Sequence, residues 1–208
     1  MATGKTGKFI VVEGIDGTGK STLVAALREH LAGAAVTWVR DPGSTPVSAA
    51  IRRLLLDPAN TAIAPRTELL LYCASRAQLL EEVVLPALRR GENVVSDRFY
   101  YSTLAYQGAH GLMPPDELRS LVVGAAGGAS PDLVLLLDAP AEVCMARLDR
   151  AHDRVESRGV AYMAKVRELY LREVALLPPG RAQVLDATQK PEAIAAQAAT
   201  AVDAALER

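Results

Sequence analysis

The stretch that most constrains this chain is the octapeptide GIDGTGKS at residues 14–21. It fills the pattern G-x-x-x-x-G-K-[ST] in full. A short apolar run, KFIVVE at residues 8–13, precedes it, and a helical pattern at 21–32 follows. Strand, glycine loop and helix in that order form a phosphate-binding loop. Gly14, Gly17 and Gly19 let the backbone wrap an anion and turn its N–H groups inward. The helix start adds its positive end. The Lys20 ammonium can reach the β- and γ-phosphates of a nucleoside triphosphate, and the Ser21 hydroxyl can ligate Mg²⁺. A chance match in a chain of this length is on the order of 1%. The predicted ATP site is therefore Gly14, Ile15, Asp16, Gly17, Thr18, Gly19, Lys20, Ser21 and Thr22. No N-K-x-D tetrapeptide for guanine occurs.

Further apolar runs at 36–39, 93–96 and 133–137, with a weak one at 183–185, read as strands. They are apolar throughout, as in strands buried on both faces. Helical patterns cover 47–56, 65–90 with a bend at Pro86, 114–126, 141–150, 160–177 and 191–206. This β-α alternation predicts an α/β fold, a three-layer α/β/α sandwich with a five-stranded parallel sheet covered by helices. A length of 208 residues, half of them hydrophobic, fits a single domain. A net charge of -1 argues against a nucleic-acid polymer as partner. No apolar run suits a membrane span or a signal peptide, so a cytoplasmic location is expected. Cys73 and Cys144 lie in apolar stretches and read as reduced core residues. The three histidines lack metal-ligand spacing.

In such sheets ligands bind beyond the carboxyl ends of the strands. Polar residues gather there: 13–21, 40–45, Asp97, Arg98 and Asp138. Asp97 and Arg98 face the crevice of the phosphate loop, which suggests a second anion site. Tyr72 and Arg76, four residues apart, share a helix face. Residues 147–158, RLDRAHDRVESR, carry Arg147, Arg150, Arg154 and Arg158 between two helices and read as a lid segment.

Six segments in order give the chain a resemblance to bacterial thymidylate kinases: GIDGTGKST, RDPGST, LLLYCASRAQ, SDRFYYSTLAYQG, PDLVLLLD and DRVE. The resemblance implies phosphoryl transfer from ATP to dTMP and a homodimer. It implies that Arg98 grips the acceptor phosphate and that Asp97 arranges the site or its metal. Tyr72 would stack on the thymine and Arg76 would donate to its O4. Ser102 and Thr103 would approach the pyrimidine edge, Tyr106 would crowd the 2′ position, and Gln107, Arg40 and Pro42 would complete the acceptor site. Asp16 matches an acid near the metal and the sugar. The phosphate loop has no arginine, so Arg150 and Arg154 of the lid would supply the catalytic charge. Mg²⁺ would be held by Ser21, Asp16 and Asp97. This chain departs from the family at Asp41 for Glu, Ser44 for Gly and Phe99 for Tyr. The shorter acid weakens any contact made by Glu, and Ser44 restricts the turn. Rival readings are a kinase for another pyrimidine nucleotide or a deoxynucleoside, and a non-catalytic ATP-binding regulator.

Overall fold

The computed structural model describes residues 6–148 and 154–207. Its order is β1 (Phe9–Glu13), α1 (Lys20–His30), β2 (Val36–Arg40), α2 (Pro46–Leu56), α3 (Pro65–Leu79), α4 (Leu85–Arg89), β3 (Asn93–Asp97), α5 (Tyr100–Tyr106), α6 (Pro115–Ala125), β4 (Leu133–Asp138), α7 (Ala141–Ala146), α8 (Val160–Ala175), β5 (Ala182–Asp186) and α9 (Pro191–Glu207). The strands form one five-stranded sheet in the order β2-β3-β1-β4-β5. Every pairing is parallel. Helices cover the sheet, completing the α/β/α sandwich. Among the described residues no helix is long and apolar enough to cross a membrane.

The central strands are apolar throughout because neither face meets water. Ile10, Val11, Val12, Val94, Val134 and Leu135 are fully buried. Each such side chain contributes roughly 1.5–3 kcal/mol over an exposed one. The edge strands differ: β5 leaves Val184 exposed, and β2 is mostly half-buried. Continuous apolarity therefore belongs to the centre of the sheet alone.

Register places the functional ends side by side. Val12 and Arg40 both pair with Asp97, and Asp138 pairs with Asp186. The carboxyl end of β1 lies at the middle of that edge, so the phosphate loop opens at the centre of the crevice.

Two helical expectations change. The stretch expected as one helix to Arg90 ends as α-helix at Leu79, widens to a π-turn at Leu80–Val84 and resumes as α4. Pro86 has no N–H, and its ring would press on the carbonyl four residues earlier, so the widened turn makes room for it. Helix α5 was not expected at all. Six of its seven residues are buried, so it lacks the one-sided apolar pattern that identifies a helix.

Candidate active site

Backbone contact shapes the phosphate loop. Gly17 has φ +85°, and a Cβ there would stand 2.1 Å from the carbonyl oxygen of Cys144 in α7. Gly14 has φ +141°, and its Cβ would stand 2.5 Å from the carbonyl oxygen of Leu137. No other residue fits either position without movement. The Thr18 hydroxyl donates to the carbonyl of Ile15 at 2.8 Å. Lys20 Nζ folds over the loop and donates to the carbonyls of Gly14 and Ile15 at 3.0 and 2.9 Å. Burial, with Arg98 nearby, lowers the Lys20 pKa to about 8, although Asp16, Asp97 and Glu13 oppose the shift.

Arg98 links this loop to the second site. It has φ +73°, the left-handed region, and among the described residues no other non-glycine does. Such a conformation costs on the order of 1–3 kcal/mol and persists where surroundings enforce it. Its N–H donates to the Val12 carbonyl at 2.9 Å, and its carbonyl accepts from the Ser96 hydroxyl at 2.6 Å. The guanidinium is thereby aimed into the crevice. It donates to the Gly14 carbonyl at 2.9 Å, Ser102 Oγ at 3.1 Å, the Tyr170 hydroxyl at 3.0 Å and Asp16 Oδ1 at 2.6 Å.

Asp16 accepts from Arg98 on one oxygen and from the Tyr106 hydroxyl, at 3.0 Å, on the other. Burial raises its pKa, but Arg98 and Lys20 outweigh that and hold the carboxyl far below the usual carboxylate range. Beneath Arg98 lies Glu13, which is fully buried. It accepts from the Phe99 N–H at 2.7 Å, the Ser102 hydroxyl at 2.7 Å and the Tyr170 hydroxyl at 3.0 Å. Burial pushes its carboxyl up, opposed by Arg98 and these hydrogen bonds. Glu13 received no role from the sequence; the usable signal was an acid closing an otherwise apolar strand.

A pocket next to Arg98 is lined by Asp16, Arg40, Asp41, Pro42, Arg52, Leu56, Tyr72, Arg76, Arg98, Ser102, Thr103, Tyr106, Gln107 and Val155. It gathers every predicted acceptor residue except Asp97. Asp97 stands behind Arg40, 3.4 Å from its Nε, with Oδ1 buried and unpartnered. Arg76 is fully buried, as is Asp41. Its Nε donates to Asp41 Oδ2 at 2.6 Å and its Nη2 to Thr103 Oγ1 at 2.8 Å, while Nη1 has no partner. The shorter acid thus reaches the arginine directly. Nor does Ser44 restrict the turn. It avoids positive φ, and its hydroxyl accepts from the Arg40 N–H at 2.7 Å. Phe99 joins the core edge-on to Phe9.

Arg52 was missed. It lies on α2, lines the pocket and donates to the Pro42 carbonyl at 3.1 Å. Burial, then Arg40 and Arg98, lower its pKa, the mark of cations crowded round an anion site. Asp138, noted at its strand end, is paired with Arg167 at 2.7 and 2.8 Å.

The lid arginines of the described residues pair with other parts of the chain in this structure. Arg154 does not reach the phosphate loop. Its Nε donates to the Leu55 carbonyl at 2.7 Å, and its guanidinium pairs with Glu68 in α3. Glu68 is a buried acid with no water to solvate its charge, and it draws the arginine there. Arg150 falls outside the described residues. Arg147 donates to the Ala187 carbonyl at 2.9 Å. With Thr18, Gly19, Thr22, Gln189 and Pro191 it lines a separate pocket beside the phosphate loop.

A sequence model of the family described as thymidylate kinase matches residues 12–198. The chain belongs to the thymidylate kinase family. A thymidylate kinase of Bifidobacterium longum is 42% identical over 194 residues, covering 91% of this chain and 94% of its own. One from Desulforudis audaxviator is 45% identical, covering 89% of this chain and 85% of its own. One from Neisseria gonorrhoeae is 44% identical, covering 88% and 89%. As a member of this family the chain is an ATP-dependent phosphotransferase. The cysteines agree with the reading of them as reduced core residues, since both are free and buried.

Proposed function

We propose that this chain transfers the γ-phosphoryl group of ATP to dTMP, giving dTDP and ADP. The observation that carries the reading is Arg98, whose one guanidinium touches the phosphate loop at Gly14 and lines the adjoining pocket. A donor held at the loop and an acceptor held in the pocket meet at that cation. Membership in the thymidylate kinase family supports dTMP as the acceptor, and the unpartnered Arg76 Nη1 suits a carbonyl such as O4 of thymine.

An acceptor phosphate oxygen is already anionic, so the reaction needs positioning and charge neutralisation rather than a strong base. That oxygen bonds to the γ-phosphorus as the bond to the β,γ-bridging oxygen breaks, and ADP leaves with that electron pair. Lys20 and the loop N–H groups hold the donor phosphates. Arg98, Arg52 and Arg40 hold the acceptor phosphate. The pocket beside Thr18 and Thr22, walled by Arg147, Gln189 and Pro191, takes the base and sugar of ATP. Asp16 and Tyr106 face the acceptor sugar.

Mg²⁺ fits this site. Ser21 is exposed at the loop, and Asp97 Oδ1 is a buried oxygen without a partner. Ser21, Asp97 and Asp16, whose oxygens each accept one hydrogen bond and keep a further lone pair, are the residues that would hold the ion. When bound, the ion would neutralise phosphate charge, and in such sites it takes only one or two protein ligands beside substrate oxygens.

The chain is further proposed to be one cytoplasmic domain with a lid at about 147–158. Arg150 is proposed to serve the transition state, with Arg147 already beside the phosphate loop. A homodimer is supported by exposed Val47 and Leu54 on α2 and Leu70 on the adjoining α3. Formation of ADP by the purified protein with ATP and Mg²⁺ tests the activity. Strong turnover with dTMP, weaker with dUMP and absent with AMP, GMP or thymidine is expected. Turnover independent of any acceptor overturns the reading.

A further inference from the structure

The carboxylate of Glu68 lies at the first turn of α3 and is buried, 1% exposed. Its partners come from three places, one of them His110, whose Nε2 lies 3.4 Å from Oε1 and 2.6 Å from Arg158 Nη1. Oε1 accepts from Gln107 Nε2 at 2.8 Å, and Gln107 lines the acceptor pocket. Oε2 accepts from Arg158 Nη2 at 2.8 Å and from Arg154. Between those arginines stands Val155, 5% exposed, which lines the same pocket. A second path runs parallel. Arg158 Nη1 donates to the Tyr162 hydroxyl at 2.8 Å, and that hydroxyl donates to the Tyr106 carbonyl at 2.6 Å. Tyr106 also lines the pocket.

A buried ion cluster that merely stabilises the fold is the simpler account, and loss of one member of such a cluster is costly in either case. The chemistry of Gln107 separates the two. An ionised carboxylate only accepts, so it fixes the amide with Nε2 toward Glu68. That leaves Oε1 as the end available to the pocket. A carbonyl there accepts from a ring N–H, as thymine and uracil carry at N3, and opposes the bare ring nitrogen of cytosine. Burial disfavours charge on Glu68, but the His110 contact, the adjacent Arg158 and the hydrogen bonds from Gln107 and Arg154 outweigh that and hold the carboxyl far below its ordinary range. The carboxylate stays ionised, and the amide stays fixed.

We infer that Glu68 is a positioning residue that ties the base-facing amide of Gln107 to the segment 154–158, so that reading the acceptor base and covering the pocket are one event. This rests on the phosphotransferase reading above. Breaking the tie frees the amide to turn and loosens the cover together.

The test is Glu68→Gln, which keeps the shape and removes the charge. A glutamine both donates and accepts, so it no longer dictates the Gln107 amide. Steady-state kinetics with dTMP and dCMP are compared with wild type. The KM for dTMP is expected to rise about tenfold, equivalent to about 1.4 kcal/mol, while the KM for ATP stays within about twofold. The ratio of kcat/KM for dTMP over dCMP is expected to fall about tenfold or more. A purely structural role lowers stability and leaves that ratio alone, so an unchanged ratio overturns the inference. Should Glu68→Gln not fold, a double-mutant cycle of Gln107→Met with Arg158→Met serves instead. The inference expects effects on the KM for dTMP that fail to multiply, by about threefold or more, and independent effects overturn it. If wild type makes no ADP with dTMP, the functional reading has failed; if it does and discrimination is untouched, only the role of Glu68 has.

Discussion

The two halves of the active site are built by different means. The phosphate cradle of the donor half is eight consecutive residues, and its groups are backbone N–H groups, one lysine and one hydroxyl. The acceptor half draws on the end of β2, on α2, α3 and α5, and on the segment after residue 153, and its groups are side chains. The first is set by a short local motif, although Gly14 and Gly17 press on the carbonyls of Leu137 and Cys144. The second needs the whole fold. A local site tolerates change elsewhere in the molecule, whereas an assembled site feels changes in any element that feeds it.

Substitutions sharpen this division. Lys20→Ala strikes the donor half, and meets the acceptor pocket only through Asp16, 3.6 Å from its Nζ. The rate constant kcat is expected to fall by about 10³, in the upper range for removing one preorganised charge, with dTMP affinity by calorimetry within about twofold of wild type. A large loss of dTMP affinity would mean that the halves are not separable. Arg98→Ala should break the division, because its guanidinium serves both halves. A fall in kcat/KM for dTMP of about 10² is expected, with a rise in KM for ATP, and Arg98→Lys should restore little because an ammonium cannot span the same partners. Asp41→Asn removes one member of a fully buried pair and leaves Arg76 uncompensated. A stability loss of about 3 kcal/mol is expected, with a Tm drop of about 6–12 °C by calorimetry and a raised KM for dTMP. An unchanged Tm would place the pair outside the structural core of the pocket.

The mildest probe is pH. Burial lowers the Lys20 pKa to about 8, and the charged form binds phosphate. Rising pH removes that charge, so kcat/KM for ATP should be level on the acid side of about 8 and decline above it. Bound phosphates pull the pKa back up, so kcat at saturating ATP should hold to higher pH. A flat kcat/KM profile to pH 10 would show Lys20 charged throughout.

The division also explains what could be read before the structure. The parallel sheet and its helical covering follow from apolar runs and their spacing, and the phosphate loop from eight letters. Arg98 was legible because it follows a strand. Helix α5 was not, because a segment buried on all sides carries no periodicity. Arg52 sits in an ordinary basic pair on an amphipathic helix, and only the fold brings it beside Arg40 and Arg98. The place of Arg154 depended on a buried acid 86 residues away in sequence, a pairing that composition cannot reveal.

The floor of the acceptor pocket carries one further consequence. Arg76 Nη1 and Asp41 Oδ1 are a buried donor and a buried acceptor, both without partners, on two side chains already locked to each other. For inhibitor chemistry this is a preformed anchoring point. A heterocycle carbonyl can satisfy Arg76 Nη1 at little cost in freezing the protein, because that side chain is already locked to Asp41. Scaffolds lacking that carbonyl leave the buried donor stranded, so potency should track that hydrogen bond more closely than molecular size.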